Sequence, residues 1–179
     1  MSLLKNAVTL LKERGTSFAL IGATAMAVHG VSRSTRDYDL LVVTPDCLST
    51  NYWEPIRAHG VDINIQKGGY DDPLAGVVRI RAESDAPLDL VVGKSAWQAG
   101  ILTRAIEATI EEISVPVATV PDLILLKLYA GGYQDAWDIE QLLSSKERSA
   151  IIREVEGRLS VLPEECRSLW LRISRHSTE

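Results

Sequence analysis

Residues 21–43, IGATAMAVHGVSRSTRDYDLLVV, decide how this chain is read. The stretch opens where a short apolar strand, Phe18 to Ile21, runs into Gly22. Ala23, Thr24, Ala25 and Ala27 are small residues that read as a short helix ending at His29-Gly30. A strand that ends in glycine and leads straight into a helix gathers free backbone N–H groups and a positive dipole end, a cradle for phosphate. Glycine permits close backbone approach, Ala23 and Thr24 are too small to block it, and the Thr24 hydroxyl can donate a hydrogen bond. Next comes DYDLLVV, an apolar strand headed by Asp37 and Asp39 on either side of Tyr38. Strand residues two apart share a face, so both carboxylates point one way while Tyr38 and Leu40 point the other.

A third carboxylate, Asp89, lies in a further apolar strand, LDLVV. Charges inside such strands are costly unless paired or metal-bound. Three carboxylates meeting from two strands repel one another, and a divalent cation is the simplest way to keep them ionised together. Oxygen-only ligands favour Mg²⁺ or Mn²⁺, ions that sit on carboxylates and substrate phosphates. A single aspartate in a single strand reads more simply as a solvent-facing strand end. The set, preceded by the glycine turn, points to a site.

Outward from this stretch, Leu4, Ala7, Val8 and Leu11 recur at helical spacing and predict a helix over residues 3–14, stopped by Gly15. Residues 46–59 read as helical, interrupted by Pro55. Strands are expected at 61–65, 77–82 and 88–92, with a loop at 67–73. A helix is expected over 94–108, then an extended segment over 113–120 that Pro116 places at a sheet edge. Beyond Pro121 the chain reads as all helix: one helix through LILLKLYA to Gly131-Gly132, a second over 134–143, a third carrying Ile151, Val155, Leu159 and Leu162, and a fourth from Pro163 through Ile173. The expected fold class is α+β, a mixed β-sheet flanked by helices with a C-terminal helical bundle. The domain division is 1–120 for the catalytic domain and 121–179 for a helical region packed on it.

The quoted stretch resembles the active-site segment of the nucleotidyltransferase superfamily of the polymerase-beta type. There a strand, a small-residue turn and a short helix precede Asp-x-Asp on the next strand, with a third acidic residue on a later one. It is most similar to the AbiEii-toxin-like and minimal nucleotidyltransferases, through Ala25, Ala27, His29-Gly30, Arg33 and Thr35-Arg36-Asp37-Tyr38-Asp39. A second segment, VPDLILLKLYAGGYQDAWDI, resembles the family's later helix with a Lys followed by Asp-x-x-Asp, here Lys127, Asp135 and Asp138. Ala23 stands where relatives carry Gly or Ser, and Gly132 near where they often carry Arg. The resemblance implies a metal-dependent enzyme that moves a nucleoside monophosphate from an NTP, ATP among them, to an acceptor hydroxyl on an RNA 3′ end or a protein. It further implies Asp37, Asp39 and Asp89 as catalytic residues and ligands of Mg²⁺ or Mn²⁺, with Gly22, Ala23, Thr24, Arg33 and Lys127 on the nucleotide. An antitoxin partner goes with the toxin relatives. The alternative is a weak or inactive nucleotide-binding module of the same fold; a metal phosphohydrolase is a third reading.

Composition agrees with an ordinary globule: 179 residues, 46% hydrophobic and 24% charged. No apolar run approaches the roughly 20 residues of a membrane span. The N-terminus lacks the pattern of a secretory signal, so the cytoplasm is the expected location. Net charge is -5 and no basic stripe supports broad nucleic-acid binding. Arg36 adjoins a metal ligand and reads as a salt-bridging residue more than a phosphate contact. His29 reads as a helix-end packing residue, the four tryptophans as core or interface, and Cys47 and Cys166 as inert.

Overall fold

The computed structural model describes residues 2–33, 37–57 and 60–176. Two compact units emerge, one from Met1–Val28 and Ser32–Ala118, the other from His29–Val31 and Thr119–Glu179. In the first, helix α1 (Leu3–Glu13) is capped by Ser2, whose side chain accepts from the Lys5 amide, and buries Leu3, Leu4, Ala7, Val8, Leu10 and Leu11. Strand β1 (Phe18–Ile21) is buried throughout and passes directly into α2 (Gly22–Val28). Gly22 has φ +68°, a left-handed conformation that glycine adopts without a Cβ penalty. Strand β2 (Tyr38–Val42) follows. The expected helix over 46–59 is instead two 3-10 turns, Pro45–Leu48 and Thr50–Trp53, and a single α-helical turn α3 (Glu54–Arg57). Trp53 Nε1 donates to the Cys47 carbonyl at 2.8 Å, and this buried hydrogen bond ties the two turns together.

Strands β3 (Asp62–Lys67), β4 (Gly76–Arg81) and β5 (Leu88–Val92) match the expected positions within a few residues. Helix α4 spans Ala96–Arg104, shorter than expected. Gln98 Oε1 accepts from the Lys94 and Ser95 amides and sets its start. The residues read as its end form β6 (Ile106–Ile110), hairpinned to β7 (Ile113–Val117) through Glu111 and Glu112, both at positive φ. Period-two alternation across a tight turn outweighed helical propensity there.

The seven strands form one mixed sheet in the order β3-β4-β5-β2-β1-β7-β6. β2 is central, antiparallel to β1 and parallel to β5, and its Leu40, Leu41 and Val42 are fully buried. β7 is not an edge, contrary to the expectation from Pro116, because β6 lies outside it. Proline is tolerated because the pairing with β1 begins one residue later, at Leu20↔Val117, with the Ala118 amide donating to the Leu20 carbonyl.

In the second unit α5 (Val120–Ala130) is mostly apolar, with Asp122 and Lys127 its charged residues, and is contacted by α6 (Tyr133–Leu142), α7 (Arg148–Glu156) and α8 (Glu164–His176). Pro121 opens α5, and Gly131, left-handed at φ +69°, closes it. α7 stops at Glu156, and Leu159 falls in a separate 3-10 turn, Leu159–Val161. Trp170, Val155, Ile139 and Leu143 are fully buried. Among the described residues no helix is long and apolar enough to cross a membrane.

Candidate functional site

Strand register sets the site. Arg79 of β4 pairs with Asp89 of β5, Asp89 with Asp39 of β2, and Asp39 with Ile21 of β1. Cross-strand partners share a sheet face, so Arg79, Asp89, Asp39 and Ile21 stand in a row beside the β1–α2 junction. The opposite face of the same strands carries Leu88, Leu90, Val78, Ile80 and Leu40, all fully buried. Within β2 the alternation runs Tyr38, Asp39, Leu40: Tyr38 faces away from Asp39 and its hydroxyl donates to Glu111 Oε1 at 2.8 Å. Burial, then the Glu111 carboxylate, push the Tyr38 phenol up to about 12.

Gly22 is fitted to Asp39. A Cβ on Gly22 would overlap the Asp39 carboxylate and press on Asp39 Cβ. The chain therefore needs glycine at 22 for its φ and for the space that the carboxylate fills. Thr24 is placed two residues on, but its hydroxyl is committed to the backbone, donating to the Asp37 carbonyl at 3.3 Å. That bond connects the short helix to the carboxylate-bearing segment. Ala23 is buried, and Arg33 is half-buried on the segment after α2. Arg36, like Thr35, lies outside the described residues.

Asp39 and Asp89 come together as neighbours; two like charges about 5 Å apart at an effective dielectric near 20 repel by ~3 kcal/mol. Asp37 is exposed and borders a groove of about 630 Å³ whose walls include Glu83 and Asp85. Among the described residues no group of three or more His, Cys, Asp or Glu side chains is arranged to hold a metal ion. Asp39 and Asp89 are adjacent across β2 and β5, and Asp37 stands one residue before β2. What compensates Asp89 is a pair of arginines that the sequence reading did not single out. Arg81 Nη1 lies 2.7 Å from Asp89 Oδ1, and Arg79 Nε lies 3.9 Å from Oδ2. The Arg81 contact is charge against charge, because Nη1 donates its hydrogens to the carbonyls of Ile80 and Leu88 at 3.0 and 3.1 Å. Asp89 Oδ1 is buried and accepts no hydrogen bond. Spacing alone (Arg79 and Arg81, two apart on one strand) places both arginines on a common face; only the register shows that Asp89 shares it.

The donor set is compatible with a hard cation. It is all oxygen, one buried carboxylate oxygen lacks a hydrogen bond, and Mg²⁺ needs only one or two carboxylates when substrate phosphates complete its shell.

Lys127, Asp135 and Asp138 belong to the second unit. Lys127 does not reach out to solvent: its side chain is 13% exposed and its Nζ pairs with Asp135 Oδ1 at 2.9 Å and with fully buried Asp138. Asp135 Oδ2 also accepts from the Gly132 amide at 3.0 Å and caps α6. Of the tryptophans, Trp53 and Trp170 are core, while Trp137 is 47% exposed. Cys47 and Cys166 are free and buried, and burial pushes both thiols up, Cys47 to about 11.

No protein-family model matches the chain, and no curated protein matches it in sequence. Solved structures do match. The solution structure of the antibiotic-resistance factor ANT(2'')-Ia aligns with 97% of this chain and 95% of its own, at 15% identity and a TM-score of 0.56. The crystal structure of ANT(2'')-Ia with adenylyl-2''-tobramycin aligns with 88% of this chain and 95% of its own, at 14% identity and a TM-score of 0.57. The lincosamide antibiotic adenylyltransferase LnuA, lincomycin-bound, aligns over 79% and 94%, at 14% identity and a TM-score of 0.51. A glycine-gated strand-to-helix turn, a mixed sheet with carboxylates on adjacent strands, and these likenesses agree: the chain has the nucleotidyltransferase fold.

Proposed function

We propose that the protein is a metal-dependent nucleotidyltransferase that moves a nucleoside monophosphate from an NTP to an acceptor hydroxyl and releases pyrophosphate. The observation that carries this reading is the Asp39–Asp89 register beside Gly22. Asp37 and Asp39, with Asp89, are the residues that would hold Mg²⁺ or Mn²⁺. The ion supplies charge neutralisation for the phosphates and the leaving pyrophosphate. Gly22, Ala23 and Thr24 bring backbone close to the triphosphate, with Thr24 acting through the Asp37 carbonyl. Arg33 adds positive charge on the segment leading to Asp37, and Lys127 is the further candidate for a nucleotide contact. Asp89 takes up the acceptor proton. Catalysis of this kind rests on positioning and electrostatic stabilisation.

The acidic groove at Asp37, Glu83 and Asp85 favours a small, positively charged acceptor over RNA. ANT(2'')-Ia and LnuA, whose structures hold an adenylylated antibiotic and an antibiotic, are in keeping with that choice. Transfer to an RNA 3′ end or to a protein is the counterpart that would accompany a toxin with an antitoxin partner. A second reading, a nucleotide-binding module without turnover, is favoured by one observation: Asp89 is held by Arg81.

The test is incubation of the full chain with each α-radiolabelled NTP and Mg²⁺ or Mn²⁺. Three acceptor pools are used: amino-bearing antibiotics, total RNA and cell lysate. Label transfer that vanishes in Asp39→Asn supports the proposal and identifies the acceptor. Nucleotide binding without transfer to any pool selects the binding module.

A further inference from the structure

We propose that Arg81 is a built-in counter-cation for the carboxylate pair Asp39–Asp89, occupying the charge position at Asp89 that a divalent ion must take over. This rests on the metal-dependent reading above and deepens it. Arg81 is a positioning residue: it sets how readily the site accepts metal and does not itself touch the reacting atoms.

Three features carry the inference. First, the guanidinium is fixed. Nη1 donates to the carbonyls of Ile80 and Leu88, so its charge is held at the root of Asp89 by backbone, not by the carboxylate. Second, Asp89 Oδ1 lies 2.7 Å from that charge yet receives no hydrogen bond, so its lone pairs stay unsatisfied by Arg81. A hard cation coordinating Oδ1 gains what the guanidinium does not supply. Third, no other cation stands as close among the described partners of Asp89. Arg79 approaches only through Nε, at 3.9 Å, while its Nη1 donates to Gln66 Oε1 at 3.0 Å. Neighbouring carboxylates repel, and Arg81 offsets the charge at Asp89, at the cost of competition with incoming metal.

The test is Mn²⁺ binding to the full chain, followed by electron paramagnetic resonance of free Mn²⁺. Removing the competing charge in Arg81→Gln is expected to tighten Mn²⁺ binding by about tenfold, equivalent to about 1.4 kcal/mol. Arg79→Gln is expected to change it by less than about twofold, and Arg81→Gln combined with Asp89→Asn is expected to lose the gain. A folded Arg81→Gln protein with unchanged or weaker Mn²⁺ binding overturns the proposal while leaving the metal-dependent reading intact. If neither the wild type nor any variant binds Mn²⁺, with or without ATP, the metal-dependent reading falls and this one with it. Should Arg81→Gln not fold, nitrogen-15 NMR of the wild-type Arg81 side chain decides. Mg²⁺ addition is expected to shift the Nε signal as the divalent charge arrives beside the backbone-held guanidinium; an unmoved signal at saturating Mg²⁺ refutes the proposal.

Discussion

Replacing Gly22 with alanine separates two physical demands that meet at one residue. The backbone demand is φ +68°, which costs an L-residue roughly 1–2 kcal/mol. The space demand is the Asp39 carboxylate, which occupies the place a Cβ would take, while Asp39 Cβ lies within 3.1 Å of it. Turning the carboxylate aside does not remove the second contact, so β2 or the β1–α2 turn must shift, at an overpacking cost of about 1–3 kcal/mol. Gly15 is the internal control: φ is +63° and nothing lies within 4 Å of an added Cβ. Gly15→Ala is expected to cost about 1–2 kcal/mol and Gly22→Ala about 2–5 kcal/mol, read from urea midpoints at constant slope. In a chain of this size each kcal/mol lowers Tm by roughly 2–4 °C. Nucleotidyl transfer is expected to fall steeply in Gly22→Ala, because the displaced carboxylate is the one proposed to hold metal, and to persist in Gly15→Ala. Equal stability costs for the two variants, together with undiminished transfer in Gly22→Ala, would refute the reasoning.

Chelation of divalent ions is expected to abolish transfer, and Mg²⁺ added back to restore it; transfer that survives thorough chelation removes the metal from the reaction. Lys127→Met removes the ammonium that pairs with buried Asp138 and with Asp135 and is expected to destabilise the protein by about 3 kcal/mol. Urea unfolding measures this, and adding Asp138→Asn should recover a large part; a loss below ~1 kcal/mol would show that Lys127 is not bound into the helical unit as described. Burial raises the Cys47 thiol from 9.0 to about 11. The unfolded chain therefore releases the proton first, and Cys47's contribution to stability, complete below pH 9, is lost as pH rises toward 11. Cys47→Ala should flatten the pH dependence of the urea midpoint in that window; an unchanged slope would assign it to other groups.

Much of the architecture follows from short-range pattern. The run Phe18–Ile21 is a strand buried on both faces, which requires continuous apolar residues, Leu88–Val92 is a strand whose burial alternates, and Gly22 and Gly131 mark breaks at left-handed backbone. Period two places Asp37 and Asp39 on one face and Tyr38 on the other without reference to any distant residue. The misjudged segments are those where two local patterns compete. Residues 106–108 read as the end of a helix, and pairing of Ile106–Ile110 with β7 made the segment a strand. Residues 45–57 bury Cys47, Trp53 and Ile56 through turns shorter than an α-helix.

The sequence by itself determined most of the strands, β6 excepted, which residues carry negative charge, and that Gly22 must precede a helix. These are properties of spacing and of single side chains. Only the tertiary structure decided that Asp39 stands opposite Asp89, that Arg81 lies against Asp89, and that Asp37 borders a groove with Glu83 and Asp85. Those relations depend on strand order and register, fixed by the burial of whole sheet faces; a slip of one residue would have turned every one of these charges to the other side.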